Sequence, residues 1–144
     1  MRAAIPFLRL AAGIKPRVRK APRPKELVLH TAVAKVLREH ARPDWQWTHI
    51  GHGEVRDIRT AVKLKRMGQQ KGWPDFVLVP PTGQMHCLEL KREGEKLTDE
   101  QESFQTWCIS NAVPHAVAFT QSQALDILDE WQCLRVKLLE RTPA

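Results

Sequence analysis

Four side chains near the middle of the chain have the types and spacing to do chemistry. Asp75 follows a bend in Gly72-Trp73-Pro74-Asp75, Glu89 and Lys91 stand two apart in Cys87-Leu88-Glu89-Leu90-Lys91, and Gln101 comes soon after Leu97-Thr98. Two carboxylates can hold a hard divalent cation, Mg2+ or Mn2+, and a lysine just beyond the second can sit over an attacked phosphate. The combination suits metal-assisted hydrolysis of a phosphodiester. Oxygen ligation does not suit zinc. Cys87, Cys108 and Cys133 form no Cys-x-x-Cys pair, and the six histidines have no recognisable ligand spacing.

Such groups need a scaffold that gathers them. Pro80-Pro81-Thr82-Gly83 are turn formers between two apolar runs, Asp75 to Val79 and Met85 to Lys91, which predicts an antiparallel hairpin. A turn centred near Thr82 sets Asp75 opposite Glu89, and directly opposed residues point to the same face. Lys91 shares that face by the period of two, leaving Phe76, Leu78, Leu88 and Leu90 to pack on the other. A slip of one residue would turn Asp75 away, so the register is the critical expectation. Taken alone, the trio also fits an exposed Glu89–Lys91 ion pair at the end of a surface hairpin. The apolar runs around Asp75 and Glu89 argue against that.

Two helices flank the hairpin. Thr98 with Gln101 is a capping-box pattern, and Asp99, Glu100 and Glu102 load the first turn with acid that suits the helix dipole. Gln101 is therefore complete as a cap, yet it shares a face with Phe104 and Cys108, which points it toward the sheet. Glu26 opens the amphipathic run Lys25 to His40, whose stripe is Leu29, Val33, Val36 and Leu37. It is an ordinary first-turn glutamate, or it looks into the same site as Leu29 and Val33 look into the core.

A helix-opening glutamate, Gly-x-Pro-Asp, Glu-Leu-Lys and Leu-Thr-x-x-Gln, in this order, resemble the VRR-NUC domain, a branch of the PD-(D/E)xK nuclease superfamily. The resemblance covers about residues Glu26 to Glu130. It implies that Asp75 and Glu89 ligate the metal, with the Leu90 main-chain carbonyl as a further oxygen ligand. Lys91 would orient or activate the attacking water and stabilise charge on the phosphate, Glu26 would act through a second metal or a bound water, and Gln101 would position nucleophile or substrate. His49 and His52, in His49-Ile50-Gly51-His52-Gly53, have no counterpart in that pattern; a loop histidine near a site could touch phosphate or serve as an additional base, but the favoured reading is strand-end and turn residues. The family's domain also forms the catalytic end of the Fanconi-associated nuclease. Short chains like this one resemble its stand-alone bacterial and phage members, which implies a homodimer presenting two sites to branched DNA such as a four-way junction.

Composition fits one small domain: 144 residues, 42% hydrophobic, carry a single core and too little for two. No apolar run reaches the roughly twenty residues that cross a bilayer, and an odd cysteine count without paired spacing suits the reducing cytoplasm. Charge is uneven. Residues 1–25 hold eight of the 23 Lys and Arg and no acid, leaving 15 basic against 16 acidic residues in the rest. We therefore expect residues 1–24 to form a basic, Pro-containing flexible arm, with Arg17, Arg19 and Lys20 on phosphates, and 25–144 to form the nuclease domain. An organelle transit peptide, a start-site extension and a solvated tail are the other readings of the arm. A second basic patch, Lys63, Lys65, Arg66 and Lys71, leads into the Gly72 bend and is the better candidate for gripping DNA.

The expected elements are helix Lys25 to His40, strand Trp45 to Ile50, a helical insertion around Asp57 to Met67, the hairpin, helix Thr98 to Asn111, strand His115 to Thr120, and helix Ser122 to Trp131 capped by Ser122. Leu134 to Glu140 is ambiguous between strand and helix. Trp107, Trp131 and that segment suit either a dimer contact or core. The order gives an α/β, restriction-endonuclease-like core (αβββαβ), a mixed sheet flanked by helices with an insertion between its first two strands. The competing function is a non-catalytic nucleic-acid-binding module on the same fold, which would have no need of Asp75, Glu89 and Lys91 together.

Overall fold

The structure is a computed structural model and describes residues 24–51 and 57–136. Its elements are α1 (Pro24–His40), β1 (Gln46–His49), α2 (Ile58–Arg66), β2 (Phe76–Val79), β3 (His86–Leu90), α3 (Asp99–Ser110), β4 (His115–Ala118) and α4 (Gln121–Glu130). The strands form one sheet in the order β1-β2-β3-β4. The first two pairings are antiparallel, and β3–β4 is parallel across the α3 connection. This is the expected mixed sheet with helices around it and α2 inserted between β1 and β2.

The hairpin register follows from its turn. Gly83 N–H donates to the Pro80 carbonyl at 2.9 Å, and β2 pairs with β3 as Phe76 with Leu88, Val77 with Cys87 and Leu78 with His86. Extending that pairing by one residue puts Asp75 opposite Glu89.

The apolar face of the hairpin makes the core. Phe76, Leu78, Leu88 and Leu90 are buried with Val33 and Leu37 of α1 and Ala124 and Leu128 of α4. The other face of β3 meets α3, where the buried thiols of Cys87 and Cys108 approach each other. Every residue of β3 is therefore buried, including Glu89, which is only 3% exposed.

Three details depart from expectation or refine it. Thr120, not Ser122, caps α4: its hydroxyl accepts from the Gln123 N–H at 3.1 Å, while the Gln123 side chain accepts from the Phe119 N–H at 2.8 Å. Strand β4 ends at Ala118, so the helix starts as soon as a hydroxyl is available to close it. Leu134 joins neither a strand nor a helix and makes an isolated antiparallel bridge to Ala41. Trp131 packs against the core and His86, whereas Trp107 stands 52% exposed on α3. Residues 1–23 of the expected arm, His52, Gly53 and residues 137–144 lie outside the described residues, while Pro24, expected in the arm, is the first residue of α1.

Candidate active site

The loop that delivers Asp75 is fastened to α3. Gly72 has φ of 89°, and a Cβ placed there would lie 2.3 Å from the Glu100 carbonyl oxygen. Only glycine permits both that backbone conformation and that approach. Beside it Trp73 packs on Phe104 with ring centroids 5.0 Å apart, and Pro74 is fully buried. Asp75 consequently enters β2 from a loop held in place on both sides.

Asp75 is held from several directions. Its carboxylate Oδ2 accepts from the Leu90 N–H at 2.8 Å. Its main-chain carbonyl accepts from the Ile50 N–H at 2.7 Å and lies 2.8 Å from His49 Nδ1. A carbonyl only accepts, so that contact requires the proton on His49 Nδ1. The strand-end reading of His49 stands, and the residue also touches the backbone of Asp75.

Glu89 is the most perturbed acid. Burial, then the neighbouring Asp75 carboxylate, push its carboxyl up to about 9, with Glu26 adding in the same direction and Lys91 opposing. The neutral acid also hydrogen-bonds Asp75, which favours the protonated form further. Gln101 Nε2 donates to Glu89 Oε1 at 2.8 Å. The other end of the same amide accepts from the Thr98 N–H at 2.9 Å, completing the capping box. Both sequence readings of Gln101 therefore hold in one side chain.

Lys91 and Glu26 act at longer range. The Lys91 backbone N–H donates to the Ala118 carbonyl at 2.9 Å, anchoring the residue just past β3, and its charge lowers the Glu89 carboxyl. Glu26, half-buried in the first turn of α1, lies within the electrostatic field of Glu89 and His30. Lys63, Lys65, Arg66 and Lys71 are exposed, and α2 buries none of its residues. Arg17, Arg19 and Lys20 lie outside the described residues.

The fold adds one residue that the sequence motifs do not point to. His30, one helical turn after Glu26, brings Nε2 to 3.8 Å from Asp75 Oδ2. Burial lowers its pKa against the pull of Asp75, so at neutral pH the imidazole is uncharged and the contact is dipolar, not an ion pair. Its spacing of four from Glu26 on a core-facing stripe is the one signal the sequence offers.

The donor set suits a hard cation. Among the described residues no three His, Cys, Asp or Glu side chains converge as a closed metal cage. The carboxyls of Asp75 and Glu89 make an open pair instead, which would leave coordination positions for water and phosphate, as Mg2+ and Mn2+ sites require. The repulsion that raises Glu89 is the kind a divalent cation relieves.

The chain matches the VRR-NUC domain model over residues 25–121. It belongs to the VRR-NUC domain family. A solved structure described as a VRR-NUC domain superposes on this one with a TM-score of 0.51 at 17% identity, covering 74% of this chain and 95% of that chain. The likeness extends to the fold, a four-stranded mixed sheet with flanking helices. Comparison with curated proteins gave no match. Membership places this VRR-NUC domain in a nuclease-type family, and none of its described helices is long and apolar enough to cross a membrane.

Proposed function

We propose that this VRR-NUC protein is a divalent-metal-dependent DNA endonuclease. The observation that carries the reading is the Asp75–Glu89 carboxyl pair, Asp75 half-buried and Glu89 buried, with Glu89 raised to about 9 and hydrogen-bonded by Gln101. Setting a second carboxyl beside Asp75 in a buried position is costly, since Glu89 can ionise there only against burial and its neighbour's charge, and a binding module gains nothing from it.

In this reading Asp75, Glu89 and the Leu90 carbonyl hold Mg2+ or Mn2+, with Glu26 as a further acid at the edge of the site. A bound cation supplies Lewis-acid polarisation of the phosphate. Lys91 lies over the scissile phosphate, orients the attacking water and stabilises the charge that develops on the phosphoryl oxygens as the ester oxygen departs. Gln101 keeps Glu89 in its rotamer and orients water or substrate. Lys63, Lys65, Arg66 and Lys71 hold neighbouring phosphates. The arm, residues 1–24, lies along the duplex through Arg17, Arg19 and Lys20, with 25–144 as the nuclease domain.

The finer form of the proposal is a homodimer cutting branched DNA such as a four-way junction, since a two-fold enzyme suits two symmetrically placed strands. We place it in the reducing cytoplasm, where the buried free thiols of Cys87, Cys108 and Cys133 stay reduced. The test is a cleavage panel of single-stranded, duplex, flap and four-way-junction DNA in Mg2+, Mn2+ and chelator. Structure-selective, metal-dependent cutting supports the proposal; binding without cutting in every condition refutes it.

A further inference from the structure

His30 is poorly explained as a core residue. Its position on α1, three residues before the buried Val33, is one that leucine would fill. The ring instead packs edge-on against His49 at 5.3 Å and lies 6.2 Å from Phe76. Its Nε2 is buried without a hydrogen-bond partner, and a polar atom left this way costs roughly 1–3 kcal/mol. The polar group that faces it is Asp75 Oδ2 at 3.8 Å, longer than a hydrogen bond and short enough for one water or a small shift to close.

We infer that His30 is a positioning residue for the Asp75 carboxylate. Leu90 holds Oδ2 from β3, His49 holds the Asp75 main chain from β1, and His30 approaches the same Oδ2 from α1. Three elements thus converge on one residue, restricting both its backbone and its χ angles. His30 also rests on His49, so the two rings brace each other. A carboxylate that must meet a small, geometrically demanding cation benefits from such restraint, and loss of an outer partner commonly weakens metal binding about 10–100-fold. The polar nitrogen on the apolar stripe is then retained for the ligand and costs the fold some stability.

The inference rests on the metal-binding reading of Asp75 and Glu89, and its test separates the two. Mn2+ alone is titrated into wild type, His30→Leu and His30→Gln without DNA, following free Mn2+ by electron paramagnetic resonance, with melting temperatures taken in chelator. We expect His30→Leu to melt no lower than wild type yet bind Mn2+ about 10–100-fold more weakly, and His30→Gln, which keeps an N–H donor, to recover most of the affinity. If the leucine variant does not fold, His30→Ala is titrated in its place. Wild-type affinity in the folded apolar variant overturns the inference, as does a glutamine variant as weak as the apolar one. Absence of Mn2+ binding by the wild type refutes the metal-site reading itself.

Discussion

Gln101 joins a helix cap to an acid: its Nε2 donates to Glu89 at 2.8 Å while its oxygen accepts from the Thr98 backbone N–H at 2.9 Å. The backbone N–H can only donate, so the amide cannot flip, and the cap dictates which end meets Glu89. Replacing Gln101 separates the two duties. Gln101→Ala loses the reciprocal half of the capping box, at about 1 kcal/mol, and also slows cleavage. Gln101→Glu keeps an acceptor for Thr98 but sets a third acid against Glu89. We expect about 10–100-fold slower cleavage with a smaller change in melting temperature, read by single-turnover kinetics beside calorimetry.

Glu89 makes the metal-free protein sensitive to pH. Its carboxyl titrates near 4.5 when unfolded and near 9 when folded, so between those values the folded state holds the extra proton. Its contribution is therefore fully present below about 4.5 and is lost as pH rises through about 9. Glu89→Gln removes that slope. In chelator the variant should melt above wild type at pH 8, converge with it near pH 4, and fail to cut DNA. Parallel melting curves across the range would contradict the assignment.

Gly72 cannot acquire a side chain. At φ of 89° and with the Glu100 carbonyl oxygen 2.3 Å from where a Cβ would stand, Gly72→Ala must move the loop that carries Asp75. Strain of this kind costs roughly 1–3 kcal/mol, visible as a lower denaturation midpoint, and the displaced Asp75 should reduce cleavage beyond that loss of fold. Gly83→Ala is the control, because no atom lies within 4 Å of its Cβ position although its φ is also positive.

The exposed basic residues of α2 should affect binding and not folding. Ala at Lys63, Lys65 and Arg66 disturbs no buried side chain. Each phosphate left without its cation should lower the salt slope of DNA affinity by about 0.9. Fluorescence anisotropy across a salt series reads this directly. An unchanged slope would place DNA elsewhere.

Much of this arrangement is legible in the sequence because it rests on short-range rules. Pro80 to Gly83 determine the hairpin register, which brings Asp75 opposite Glu89, and Thr98-x-x-Gln101 announces its own cap. Thr120-x-x-Gln123 carries a similar signal, and it prevails over Ser122 because the end of β4 at Ala118 leaves no room for a longer loop. His30 is harder to see. A histidine on an apolar stripe looks like core until the approach of α1 to the sheet end brings it to Asp75, far along the chain, and no local pattern encodes that meeting. The exposure of α2 among the described residues is likewise tertiary: its amphipathic pattern calls for a partner, yet Ile58, Val62 and the capping Met67 are exposed there.

The most direct test compares wild type with Asp75→Asn on one labelled DNA, measuring cleavage in Mn2+ and in chelator alongside binding affinity. The account predicts cutting by wild type in Mn2+ only, and an Asp75→Asn protein that folds and binds DNA but does not cut. Near-normal cleavage by Asp75→Asn, or cleavage by wild type in chelator, would contradict it.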